Sequence, residues 1–122
     1  MLETRPETLT GKTHRIKTGL GWLYITINEH DDKPIELFAV MGKSGGDITA
    51  QAEAIGRLVS LALRHDIPMD KISKQLIDIA GSEQIVDKDT LIKSVPDAIG
   101  RLLHSLYVKT PLPTNEEESL HE

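Results

Sequence analysis

Gly19-Leu20-Gly21-Trp22-Leu23-Tyr24-Ile25-Thr26-Ile27-Asn28 is the stretch that decides the fold class. After the two glycines, Leu23, Ile25 and Ile27 alternate with Trp22, Tyr24 and Thr26. Successive strand side chains point to opposite faces, so this period of two reads as a β-strand with one face in a core. Towards the N-terminus, Ile16 and Thr18 carry the same period, and Gly19 and Gly21 flank a turn at which positive φ is expected. Towards the C-terminus, the polar run Glu29-His30-Asp31-Asp32-Lys33-Pro34 makes a second turn. Beyond it, Ile35, Leu37 and Ala39 alternate with Glu36, Phe38 and Val40. Residues 13–41 therefore predict a three-stranded antiparallel meander.

Past Met41-Gly42-Lys43-Ser44-Gly45-Gly46-Asp47 the period changes. Ile48, Ala52, Ile55, Leu58/Val59 and Ala62 recur at helical spacing, which predicts a helix from about Asp47 to His65, stopped at Asp66-Ile67-Pro68. A second helix is expected from Met69 to Ala80, with Ile72, Leu76, Ile77 and Ile79 inward and Gly81 as its stop. Ser82 to Lys93 reads as a loop holding a short strand or helical turn around Gln84–Val86. The last helix opens at Ser94-Val95-Pro96-Asp97. Ser94 can accept from the backbone N–H of Asp97, Asp97 can return the bond, and Pro96 fits the first turn, where its missing N–H costs nothing. Ile99, Leu102, Leu103 and Leu106 form its apolar stripe. The fold class is thus α+β, a meander followed by three helices. The first and third are related by an internal similarity, Ala54-Ile55-Gly56-Arg57-Leu58 and Ala98-Ile99-Gly100-Arg101-Leu102, each preceded by an acid. A mid-helix glycine costs about 1 kcal/mol against alanine, so two at equivalent places call for a close backbone approach. The expectation is that these two helices cross at Gly56 and Gly100.

The 122 residues are 39% hydrophobic and 27% charged, which suits one ordinary domain. Of the formal net charge of −5, four negative charges lie in residues 110–122 (Glu116, Glu117, Glu118 and Glu122, with no Lys or Arg), leaving −1 on residues 1–109. The chain divides into an extended arm (1–12), an α+β domain (13–109) and an acidic, disordered tail (110–122). A near-neutral body argues against a phosphate-backbone footprint, so no nucleic-acid partner is expected. No apolar run approaches the roughly 20 residues of a membrane span, and the N-terminus lacks a signal design. A cytoplasmic protein without a membrane partner is expected. With no cysteine there is no disulfide, thiolate metal site or thiol redox chemistry.

Two sets of residues are candidates for ligand binding. Gly42, Lys43, Ser44, Gly45 and Gly46 form a glycine-rich turn entering a helix, where backbone N–H groups and Lys43 suit an anion or nucleotide phosphate. The turn matches neither phosphate-loop pattern, and Asp47 repels a phosphate, so a purely structural turn is the competing reading. Arg57 and Arg64, seven apart on one helix face, and Arg101, which repeats Arg57, suit bidentate phosphate binding; pairing with Glu53 or Asp97 one turn away is the alternative. The five histidines fall singly and never at metal-ligand spacing. Glu29, Asp31, Asp32 and Glu36 read as a solvated turn. Trp22, Tyr24 and Phe38 are expected to share a sheet face, as a stacking platform or as a core or subunit contact. The near-neutral body favours the second. No catalytic residues are assigned.

Taken together, Lys17–Glu29, Glu36-Leu37-Phe38, Met41–Gly46, Ala52–Arg64 and Ser94-Val95-Pro96-Asp97-Ala98-Ile99-Gly100 resemble the TSCPD domain across roughly residues 11–107. That domain is found near the C-terminus of adenosylcobalamin-dependent ribonucleoside-diphosphate reductases and as short free-standing proteins. The resemblance implies cysteines near Leu20, Asp47 and Val95, and all three are replaced here. Ribonucleotide reduction needs a radical-generating cofactor, a thiyl cysteine and a reducing cysteine pair, which a cysteine-free chain cannot supply. What the resemblance implies is a non-catalytic accessory or regulatory domain acting by protein or nucleotide binding. Its expected partner is a ribonucleotide reductase or a nucleotide, and adenosylcobalamin belongs to the parent enzyme alone. An independent nucleotide-sequestering or sensing protein and a structural oligomerisation module are the other readings. A homo-oligomer is expected in each case, because a small meander leaves edges and a face uncovered.

Overall fold

The computed structural model describes residues 4–43 and 45–112. Strands β1 (Thr10–Thr18), β2 (Gly21–His30) and β3 (Lys33–Met41) form an antiparallel sheet in the order β1-β2-β3. Helix α1 (Gly46–Arg64) and helix α2 (Met69–Leu76) follow, then a hairpin of β4 (Ile85–Asp87) and β5 (Thr90–Ile92), then helix α3 (Val95–Tyr107). The predicted meander and three helices are present. The expectation for an acidic tail falls mostly on residues 113–122, outside the described ones.

Turn chemistry sets the meander. Gly21 has φ 113°, a conformation closed to most side chains. Asp31 (φ 51°) and Asp32 (φ 63°) make a two-residue left-handed turn between β2 and β3, the twist antiparallel strands prefer, and Lys88 and Asp89 repeat it between β4 and β5. Gly19 is needed for a different reason from the one expected: it lacks positive φ, but the backbone of Glu83 lies against it and leaves no room for a Cβ.

Leu23, Ile25, Ile27, Leu37, Ala39 and Met41 form the inner face of the sheet. They share one core with Ala52, Val59 and Leu63 of α1, Ile72 of α2 and Val95, Ala98, Ile99 and Leu103 of α3. Three residues expected inside are exposed, namely Leu58, Ile79 and Leu106.

Helix α2 ends at Leu76, four residues early. Ile77 is extended, Asp78 has φ 70°, and the Asp78 N–H donates to Asp97 Oδ1 at 2.7 Å, so the chain is drawn off towards α3. Gly81 accordingly caps no helix, and its N–H bonds Lys93 O at 2.9 Å. Both repeat glycines do mark close approaches, but not to each other. A Cβ on Gly56 would meet Leu37 O of β3 at 2.9 Å, and one on Gly100 would meet Leu76 Cβ at 2.8 Å and Ile77 N at 2.9 Å. Each glycine seats its own helix on a different element, and the expected α1–α3 crossing is replaced by an α1–β3 and an α3–α2 contact.

Candidate functional site

The register fixes which side chains share the outer face of the sheet. Lys17 lies opposite Trp22, Arg15 opposite Tyr24 and Thr13 opposite Thr26 across β1 and β2. Across β2 and β3, Tyr24 pairs with Val40, Thr26 with Phe38 and Asn28 with Glu36. Directly opposed residues face the same way, so cations on β1, aromatics on β2 and apolar groups on β3 form one surface. No helix covers its centre: Trp22 and Tyr24 are each 37% exposed, Phe38 52% and Val40 56%. The three aromatics share a face as expected, but they are not core.

Local contacts hold this surface in shape. The Arg15 guanidinium lies 4.1 Å from the Trp22 ring centroid and Lys17 Nζ 5.6 Å, both within cation–π range. Thr13 and Thr26 join hydroxyls across the strands at 2.7 Å. Tyr24 packs over Gly42, where a Cβ would stand 3.2 Å from the ring. Beside β3, a groove of about 630 Å³ runs between strand and α1, lined by Phe38, Val40, Arg57, Leu61 and Arg64 among others. Ser60 Oγ accepts the Leu37 N–H at 2.9 Å and donates to Leu37 O at 3.2 Å, so α1 closes this edge of the sheet.

At one end of the face sits Glu36, whose side chain is 3% exposed. It was expected in a solvated turn, yet its carboxylate accepts from Arg5 Nη2 (2.8 Å), Asn28 Nδ2 (2.8 Å) and Arg64 Nη2 (3.1 Å). Hydrogen bonding from Arg5, with help from Asn28 and Arg64, holds its pKa below the usual carboxylate range against the opposing effect of burial. Glu29 is also engaged, accepting from Tyr107 Oη at 2.6 Å. Burial, and then this bond, push the Tyr107 phenol well above its ordinary pKa.

Of the candidate ligand residues, Arg57 and Arg64 line the groove beside β3, and the others fall in separate places. Gly42 and Lys43 stand at the end of β3, with Lys43 exposed; Gly45 and Gly46 lead into α1 with open space around them; Ser44 lies outside the described residues. Gly45 caps α1 without a side-chain bond, and Asp47 sits in the first turn. Arg57 pairs with Glu53 at 3.2 Å, both well exposed. Arg64 is bound to Glu36. Arg101 belongs to another network, where its Nε donates to Asp97 Oδ1 at 2.9 Å and its Nη2 to Asp78 Oδ1 at 2.7 Å. Both repeats therefore form the acid–arginine pair one turn apart that the sequence offered as the alternative.

Asp97 is fully buried. Its backbone N–H bonds the Ser94 hydroxyl at 3.1 Å, the expected cap. Its carboxylate does not return the bond to Ser94. It accepts from the backbone N–H of Asp78 at 2.7 Å and of Lys93 at 2.9 Å as well as from Arg101, stapling the end of α2 and the end of β5 to the start of α3.

The sequence also matches the model of the TSCPD domain over residues 2–107. The chain belongs to the TSCPD domain family. No curated protein and no solved structure matches it. In this TSCPD domain Ser94, Pro96 and Asp97 cap, start and staple α3. Val95, near which the resemblance implied a cysteine, is a buried core residue. No helix among the described residues is long and apolar enough to cross a membrane.

Proposed function

We propose that this TSCPD domain is a non-catalytic accessory or regulatory domain of the kind attached to cobalamin-dependent ribonucleotide reductases, and that it works by binding through the outer face of its sheet. One observation carries the reading. Trp22, Tyr24, Phe38 and Val40 share the outer face, Tyr24 directly opposite Val40 and Phe38 opposite Thr26, and remain 37–56% exposed. A contiguous apolar patch of this kind, rimmed by cations, marks an interaction surface. The paired charged groups support the same view from the other side, since the buried Glu36 and Asp97 and the half-buried Arg64 and Arg101 are engaged in holding elements together.

The test is capture of a cobalamin-dependent reductase on the immobilised chain, run beside thermal shifts with a panel of NTPs and dNTPs. Binding of reductase or of a nucleotide at micromolar concentration is expected, weakened at least tenfold by Phe38→Ser with Val40→Ser. Absence of both interactions, or binding indifferent to these two substitutions, overturns the reading. Light scattering on the same sample tests self-association, the remaining proposal for partners.

A further inference from the structure

We propose that the outer sheet face takes single-stranded nucleic acid, with bases stacked on Trp22, Tyr24 and Phe38 and phosphates held by Arg15 and Lys17. The inference rests on that face being the contact surface, and it names the occupant. Net charge alone pointed the other way, because the −1 of residues 1–109 is an average. The fold separates that charge. Among the outward positions of the three strands (Gly11, Thr13, Arg15 and Lys17; Trp22, Tyr24, Thr26 and Asn28; Glu36, Phe38 and Val40) there is one carboxylate, and two arginines cover it. Lys43 adds a further exposed cation at the end of β3. Glu53, paired with Arg57, lines the groove beside Phe38 and Val40; other acids lie elsewhere, with Asp31 and Asp32 in a turn, Asp47 at the start of α1, Asp70 on α2, and Asp87 and Asp89 in the β4–β5 hairpin.

Charge complementarity and ring spacing select among occupants. A second copy presenting the same face would set Arg15 and Lys17 against another cationic surface, whose bordering carboxylates, Glu36 and Glu53, are already paired with arginines. A mononucleotide engages only one of the three rings on this open face, whereas a strand engages them in succession. Trp22 and Tyr24 are two residues apart on one strand, about 7 Å, twice the base spacing of a duplex. Bases must therefore be splayed to reach successive rings, which a single strand allows and a duplex does not. Arg15 and Lys17 lie over the Trp22 ring, 4.1 and 5.6 Å from its centroid, so a base stacks there by displacing the guanidinium, which is released to the neighbouring phosphate. Aromatic stacking joined to a basic track is the general mode of single-strand recognition.

Trp22 is the only tryptophan, so its fluorescence reports directly on the face. The full chain is titrated with single strands of about 12 nucleotides, a length within the site sizes of single-strand binders, as DNA and as RNA. The duplex of the same sequence and polyglutamate are titrated in parallel. Expected are quenching of Trp22 by a single strand, and affinity that falls with salt at a slope of about −0.7 per phosphate contacted. Tyr24→Ala or Phe38→Ala weakens binding roughly five- to a hundredfold, and Arg15→Gln with Lys17→Gln flattens the salt slope by about 1.4. These side chains are exposed, and matching urea midpoints confirm folding of each variant. No quenching by any single strand at 100 μM in about 50 mM salt, equal binding of duplex, or tighter binding of polyglutamate overturns the proposal. If single strands fail while reductase capture remains sensitive to Phe38→Ser with Val40→Ser, the accessory reading stands and this one falls.

Discussion

Glu36 shows what a single side chain can do at the margin of a binding surface. It carries the one carboxylate on the outer face, and Arg5 and Arg64 reach it from the N-terminal arm and the last turn of α1. Its pKa is lower in the folded chain than the ordinary value of 4.5. The stabilisation is therefore fully present above about pH 4.5 and is lost as pH falls through the lower folded value. Glu36→Gln should reduce the unfolding free energy at pH 7 by about 2 kcal/mol, towards the low end for a buried pair because Arg5 is partly exposed. The gap from the parent chain should begin to close as the pH falls below about 4.5 and go on closing as it passes the lower folded value. Urea midpoints across that range check it, and a pH-independent gap would contradict it. The sequence placed Glu36 with Asp31 and Asp32 in a solvated turn, because nothing local announces partners 31 and 28 residues away. The same limit hid the carboxylate contacts of Asp97: its cap with Ser94 is local and legible, but its bond to the Asp78 N–H exists only once α2 has been laid against α3.

At the scale of elements, the repeat glycines turn an internal similarity into a packing prediction. Alanine favours a helix over glycine by about 1 kcal/mol. At Gly56 its Cβ would stand 2.9 Å from the Leu37 carbonyl oxygen, and at Gly100 it would stand 2.9 Å from Ile77 N. Backbone yields less readily than a side-chain tip, so Gly56→Ala and Gly100→Ala should each destabilise by about 1–2 kcal/mol net. Gly46→Ala, with no neighbour within 4 Å at the start of α1, should be neutral or stabilise by up to about 1 kcal/mol. Thermal midpoints of the three variants decide this, and a gain in stability at Gly56 would remove the tight α1–β3 seat. The meander and the two longer helices were legible because period two and helical spacing each persist over several repeats. Of the β4–β5 hairpin only a short strand around Gln84–Val86 was on offer, with a helical turn as its rival, and the early end of α2 was not legible. Three-residue strands carry no period, and Ile77 and Ile79 look helical in sequence although the Asp97 carboxylate holds the Asp78 N–H outside helical geometry.

Across the whole molecule, the decisive property is the separation of a modest charge into faces. Net charge and composition were legible at once, as was the shared side of Trp22, Tyr24 and Phe38, because strand alternation dictates it. The cationic character of that side was not, since it depends on β1 pairing with β2 in the register that sets Arg15 by Tyr24 and Lys17 by Trp22. The pairs Arg57–Glu53 and Arg101–Asp97 were legible one turn apart on their helices. Only the fold shows Arg64 engaged with Glu36, and Arg101 with Asp78 as well. The central claim is that the outer sheet face is the working surface, and the most direct measurement is a backbone and side-chain NMR map of the chain titrated with a single strand of about 12 nucleotides. The account predicts shifts concentrated at Arg15, Lys17, Trp22, Tyr24, Phe38 and Val40. Shifts concentrated instead in the groove beside α2 and the segment after α3, around Met69, Ser73 and Pro111, or in the turn from Gly42 to Asp47, would contradict it.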